Sequence, residues 1–171
     1  MQEIGFLVRC KLFSLICCLA LLTSAALAWK SQAWQLSFQE PKGWKAAPGE
    51  TSTVSFLGPV QSGLRPIISV RIEPCEDGEL SKEHIDEACS HIMSELDPVK
   101  ILGSREVTVN GKTMHRIGYR TQHQGHSFRA TQMLAVHGKK MYVFALVTDT
   151  AHHDKLLPAF DKMLTTIKFL D

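Results

Sequence analysis

The residues best equipped for chemistry in this chain are histidines. His123 and His126 flank Gln124-Gly125 within RTQHQGHSFRA. Facing each other across a tight turn, two imidazoles would have Cβ atoms about 5 Å apart, near enough to share a metal. His84 and His91, seven residues apart with Glu87 between them, fall on one face of a helical segment and could hold a cation there. Their spacing is not that of H-E-x-x-H, in which the histidines are one turn apart. For both pairs the plainer reading is a solvated surface, since a zinc site takes three or four ligands and no further one is near in sequence. His152 and His153 are adjacent, so on a helix they point in different directions. No G-x-S-x-G elbow, phosphate-cradling glycine loop or locally activated cysteine is present. No catalytic set and no cofactor are therefore expected.

Three further groups could bind rather than react. Trp44 follows a Pro-Lys-Gly break and is placed to line a surface groove. Arg116, Arg120 and Arg129 share the strand face opposite Tyr119 and Phe128 and could form a basic strip. The plainer alternative is a wet sheet face, or one partly covered by a helix with the arginine stems packed beneath it. Cys75 and Cys89 are a possible disulfide or two buried free thiols, because sequence cannot supply the Cα separation a bridge requires.

Whether these groups meet depends on the elements that carry them. Residues 1–28 read as a leader: Arg9 and Lys11, an uncharged run from Leu12, then Ala26-Leu27-Ala28 before Trp29. An uncleaved N-terminal anchor is the alternative, although a spanning helix usually needs about 20 apolar residues. Removing 28 of 171 residues leaves 143, with 17 basic and 16 acidic side chains, enough for one domain and near neutral. Such a balance suggests no nucleic-acid partner. Contact with a membrane would run only through the N-terminal segment. Cys10, Cys17 and Cys18 leave with the leader.

Alternating apolar residues predict strands at Trp34–Phe38, Thr51–Pro59 and Arg65–Pro74, with residues 45–50 as loop. The period then changes. Ser81 caps a helix carrying Ile85, Ala88, Cys89, Ile92, Met93 and Leu96 on one side and ending at Asp97-Pro98. Asn110-Gly111 predicts a type I′ hairpin between strands in 105–121. Strands over 128–136 and 140–148 follow. A final helix, capped by Asp149 or Thr150, places Leu156, Leu157, Phe160, Met163, Leu164 and Ile167 on one side. Grouped strands and helices predict an α+β sandwich, a central antiparallel sheet flanked by helices.

The apolar pattern also predicts register around the opening stretch. Gln122 opposite Ser127 aligns Tyr119 with Ala130, Ile117 with Gln132 and His115 with Leu134, and sets Arg120 beside Arg129. A two-residue turn would force Gln124 to positive φ, so a four-residue loop, His123 to His126, is expected.

In this order, Pro41-x-Gly-Trp44, SFLGP, the middle helix, VNGKTMHRIGYR, KKMYVFALVT and FDKMLTTIKF resemble the PsbP/DcrB superfamily over nearly all of residues 29–171. The resemblance implies a helix-flanked antiparallel sheet and a mostly non-enzymatic group of accessory and exported proteins. It carries no catalytic residue set to this chain, and a shared fold does not establish a shared function. The sequence thus predicts an exported, non-enzymatic binding domain, periplasmic or secreted, or anchored to the inner membrane and facing the periplasm. Its expected partner is an envelope protein or peptide; a metal-binding role for His84, His91, His123 or His126 is the alternative.

Overall fold

The computed structural model describes residues 27–48 and 51–170. The predicted leader, as far as residue 26, lies outside them. Among the described residues, ten strands form two antiparallel sheets with two helices. The strands are β1 (Ala28–Ser31), β2 (Leu36–Gln39), β3 (Lys45–Ala47), β4 (Thr53–Leu57), β5 (Ile67–Pro74), β6 (Val99–Val109), β7 (Lys112–His123), β8 (His126–His137), β9 (Lys140–Asp149) and β10 (Lys168–Phe169). The helices are α1 (Lys82–Glu95) and α2 (His153–Leu164). Seven strands run in the order β3-β4-β5-β9-β8-β7-β6, and β1-β2-β10 make a small second sheet. The α+β class predicted from the alternation of periods is the one observed.

Alternation places two apolar layers on opposite faces of the large sheet. On one, Met133, Tyr142, Phe144, Leu146, Ile68 and Val70 meet Leu36 and Phe38 of the small sheet and Phe160, Met163 and Leu164 of α2. On the other, Ile117, Tyr119, Ala130, Leu134 and Val143 pack against Ile92 of α1. Strand β9 is buried on both faces, as a central strand must be. Burying a large apolar side chain contributes about 1.5–3 kcal/mol, so these layers dominate the stability.

The predicted register is present: Gln122↔Ser127, Tyr119↔Ala130, Ile117↔Gln132, His115↔Leu134 and Arg120↔Arg129. Asn110 and Gly111 turn β6 into β7 with φ of 50° and 72°. Ser81 caps α1 as predicted, accepting from the His84 N–H at 3.3 Å.

Five expectations are corrected. His123 and His126 do not belong to a four-residue loop; they pair directly, and Gln124 takes φ 49° before Gly125 at 80°. Two long, well-packed strands evidently outweigh the local cost of one left-handed glutamine. Residues 45–47 are an edge strand, not loop. The hairpin begins at Val99, six residues before the predicted start, because a bulge between Ile101 and Gly103 breaks its alternation. The last helix is capped at His152 and stops at Leu164; Lys168–Phe169 then pair with β2. Trp34 sits in the turn before β2, where Gln35 adopts φ 52°.

Candidate functional site

Trp44 is held by a tight turn at the end of β2. The Trp44 N–H donates to the Pro41 carbonyl at 3.1 Å, and Gly43 supplies the φ of 82° that a type II turn requires at its third position. This turn leaves Lys42 exposed at its tip. The indole itself is only 9% exposed and belongs to the core. One of its edges borders a groove of about 430 Å³ between the turn and α2. Met163 and Ala159 of α2 form the facing wall, and Lys162 stands exposed beside them. Thr166 ties the wall to β2: its Oγ1 accepts from the Gln39 N–H at 2.9 Å and donates to the Met163 carbonyl at 2.7 Å. An apolar floor rimmed by two lysines and Glu40 can seat an apolar group attached to a charged or polar one.

The arginines are divided. Arg116 and Arg129 lie beneath α2, where Asp161 and Asp154 meet them; Arg129 Nη1 is 2.9 Å from Asp154 Oδ1. Arg116 Nε also reaches the Met133 sulfur at 3.4 Å, so its stem packs in the layer below the helix. Arg120 is exposed and lies between Lys100 and Arg129 in register, leaving a shorter basic row than three arginines would make. The same helix brings together a buried polar pair, His153 and Thr131, that lie far apart in sequence. His153 is 1% exposed, with Nε2 3.0 Å from Thr131 Oγ1 and Nδ1 3.3 Å from Asp154 Oδ1. Burial pushes the His153 pKa below its usual value, and the hydrogen bond to Asp154 only partly opposes this. Asp154, hydrogen-bonded by His153 and facing Arg129, is held below the usual carboxylate range.

The other histidines remain apart. His123 and His126 oppose each other on an exposed turn, and His91 and Glu87 are exposed on α1. His84 has a local task. Its Nδ1 accepts from the Ser81 N–H at 3.2 Å, completing a reciprocal cap, and this puts the ring proton on Nε2. That nitrogen lies 3.9 Å from both Cys75 Sγ and Asp77 Oδ2. Among the described residues, no three His, Cys, Asp or Glu side chains gather as a metal site. Cys75 and Cys89 are free thiols, Cys75 buried with Sγ directed at the Glu79 carbonyl.

The described residues thus form an α+β domain: a large antiparallel sheet with helices against it and a groove beside Trp44. Solved structures place it in the PsbP/Mog1-like fold. Cyanobacterial PsbP (CyanoP) from Synechocystis matches with a TM-score of 0.64 at 15% identity, over 84% of this chain and 91% of that one. LpqN, involved in cell envelope biogenesis of Mycobacterium tuberculosis, matches at 0.64 and 11%, over 88% of each chain. The Saccharomyces cerevisiae Ran-binding protein Mog1p matches at 0.61 and 10%, over 85% and 95%. At these identities the likeness is one of fold. No family model and no curated protein matches the sequence.

Proposed function

We propose that the chain is an exported, non-enzymatic binding domain that engages an envelope protein or peptide through the groove beside Trp44. It acts in the periplasm or from the outer face of the inner membrane. The observation that carries this reading is the groove itself: an apolar floor, lysines at the rim, and walls supplied by a tight turn and a helix rather than by mobile loops. A relative in fold is described by its role in cell envelope biogenesis and another as Ran-binding, which fits a scaffold used for protein contacts. The leader motivates the location.

Photo-crosslinkers placed one at a time at Lys42 and Ala159, and at Glu87 on α1 as a control, test the reading in envelope extracts. The expected result is one defined adduct from both groove positions, absent at Glu87 and lost in the double variant Lys42→Glu, Lys162→Glu. Adducts from Glu87 alone, or turnover of a hydrolase substrate panel by the purified protein, would overturn it.

A further inference from the structure

The junction between leader and domain is woven into the fold. Leu27 and Ala28 are the last residues that cleavage before Trp29 would remove. Ala28 nevertheless opens β1 opposite Gln39, and the Leu27 carbonyl accepts from the Glu40 N–H at 2.9 Å. Leu27, 73% exposed, lines the Trp44 groove. Ala28 lines a second hollow of about 420 Å³ that shares Gln39 and Thr166 with the first. These two residues therefore stand where the hollows adjoin.

Cleavage adds one water across the Ala28–Trp29 bond. The water oxygen goes to the Ala28 carbonyl carbon, which departs with the leader as a carboxylate; both hydrogens end on the Trp29 nitrogen, which becomes an ammonium. What remains is altered in three ways. The Glu40 N–H has lost its acceptor. A positive charge now sits at the head of β1, held in place because Trp29 pairs with Phe38 and stacks on its ring with centroids 5.0 Å apart. The two hollows are joined along the vacated strand positions, and Lys42 and Lys162 outnumber Glu40 on the rim.

We propose that the processed protein binds the free C-terminus of an extended peptide with an apolar penultimate residue, seated where Leu27 and Ala28 had been. The penultimate carbonyl takes the Glu40 N–H, as Leu27 does in the uncut chain. Its side chain enters the groove toward Trp44 and Met163. The terminal carboxylate meets the Trp29 ammonium, a charge-assisted contact that an internal peptide segment cannot make. This deepens the binding reading above and rests on it, and on cleavage after Ala28.

The test uses the full chain in detergent, divided in two, with one half treated by leader peptidase and dialysed. Intact mass reads the cleavage. The probe is fluorescein-labelled Ser-Ala-Ala-Leu-Ala with a free carboxylate, and separately its C-terminal amide, followed by anisotropy. The processed protein is expected to bind the acid, the uncut chain not to, and the amide to bind about tenfold more weakly. Lys42→Glu with Lys162→Glu should weaken the acid. Equal binding by cut and uncut chains, equal binding of acid and amide, or no binding to the cut chain overturns the proposal. Absence of cleavage in the mass spectrum overturns this site and leaves the anchored form of the binding reading standing, so the two failures are told apart.

Discussion

His153 Nε2 lies 3.0 Å from Thr131 Oγ1, joining the first turn of α2 to the centre of the large sheet at a site with almost no solvent. The groups facing it are Thr131 and Arg129 from β8, Arg116 from β7 and Asp154 from its own helix. Burial and the two arginines favour the neutral ring over the charged one, and this lowers the folded-state pKa from 6.5. The unfolded chain therefore takes up a proton at a higher pH than the folded one. Stability from this group is fully present above about pH 6.5 and is lost as pH falls from there through the folded value. Urea unfolding across pH 7.5 to 5 should show this loss, and His153→Gln should flatten it. An unchanged pH slope in that variant would assign the effect elsewhere.

Arg116 and Asp161 hold the middle of α2 to β7 while keeping 21% and 43% of their side-chain surfaces exposed. Partial solvation limits what the pair contributes, so Asp161→Asn should cost about 1 kcal/mol. A double-mutant cycle with Arg116→Met should return a coupling of about 0.5–1.5 kcal/mol. A coupling of zero would mean that helix packing alone sets the geometry.

Gly58 lies directly under the Trp44 ring. A methyl group added there would come within 2.7 Å of Pro66 Cγ and 3.1 Å of Trp44 Cη2. The pyrrolidine ring has little room to yield, so Gly58→Ala should destabilise by about 1–3 kcal/mol. Because the displaced indole also lines the groove, tryptophan emission should shift as well. Denaturation midpoints and emission spectra of the folded variant check both effects.

Gln124 holds φ 49° in the turn between β7 and β8, where Asn110 at φ 50° holds the equivalent position of the preceding hairpin. Asparagine tolerates this region better than glutamine, so Gln124→Asn should stabilise by about 0.5 kcal/mol. The exposed His123–His126 pair should be unaffected, and a thermal melt is a sufficient measurement.

What was legible in the sequence was whatever apolar alternation specifies. Tyr119, Ile117, Ala130 and Leu134 can be buried together in only one register, and Asn110-Gly111 marks its own turn. Less legible were segments where two readings overlap. Ala28 reads as the end of a leader and Trp29 as the start of the chain beyond it, yet both belong to β1, and Lys168–Phe169 reads as the tail of a helix yet pairs with Ser37 and Leu36. The bulge at Leu102 hid the start of β6. The groove was half visible: Trp44 announced itself after Pro-Lys-Gly, but its facing wall, Ala159 and Met163, comes from the other end of the chain. The pairing of Arg116 and Arg129 with α2 carboxylates was hidden for the same reason.

The place of β9 in the large sheet has a consequence for the order in which the domain can assemble. Among the described strands it alone joins the early strands β3-β4-β5 to the late strands β8-β7-β6, pairing Ile67 with Val147 on one side and Ala130 with Val147 on the other. A chain emerging from its N-terminus first therefore has no means of closing the sheet until residues 140–149 arrive. The separation in sequence between β5 and β9 makes that closure slow as well as late. Were the chain exported as proposed, it would have to stay unfolded while threaded through a translocon, and this wiring would delay its commitment until most of the thread is through.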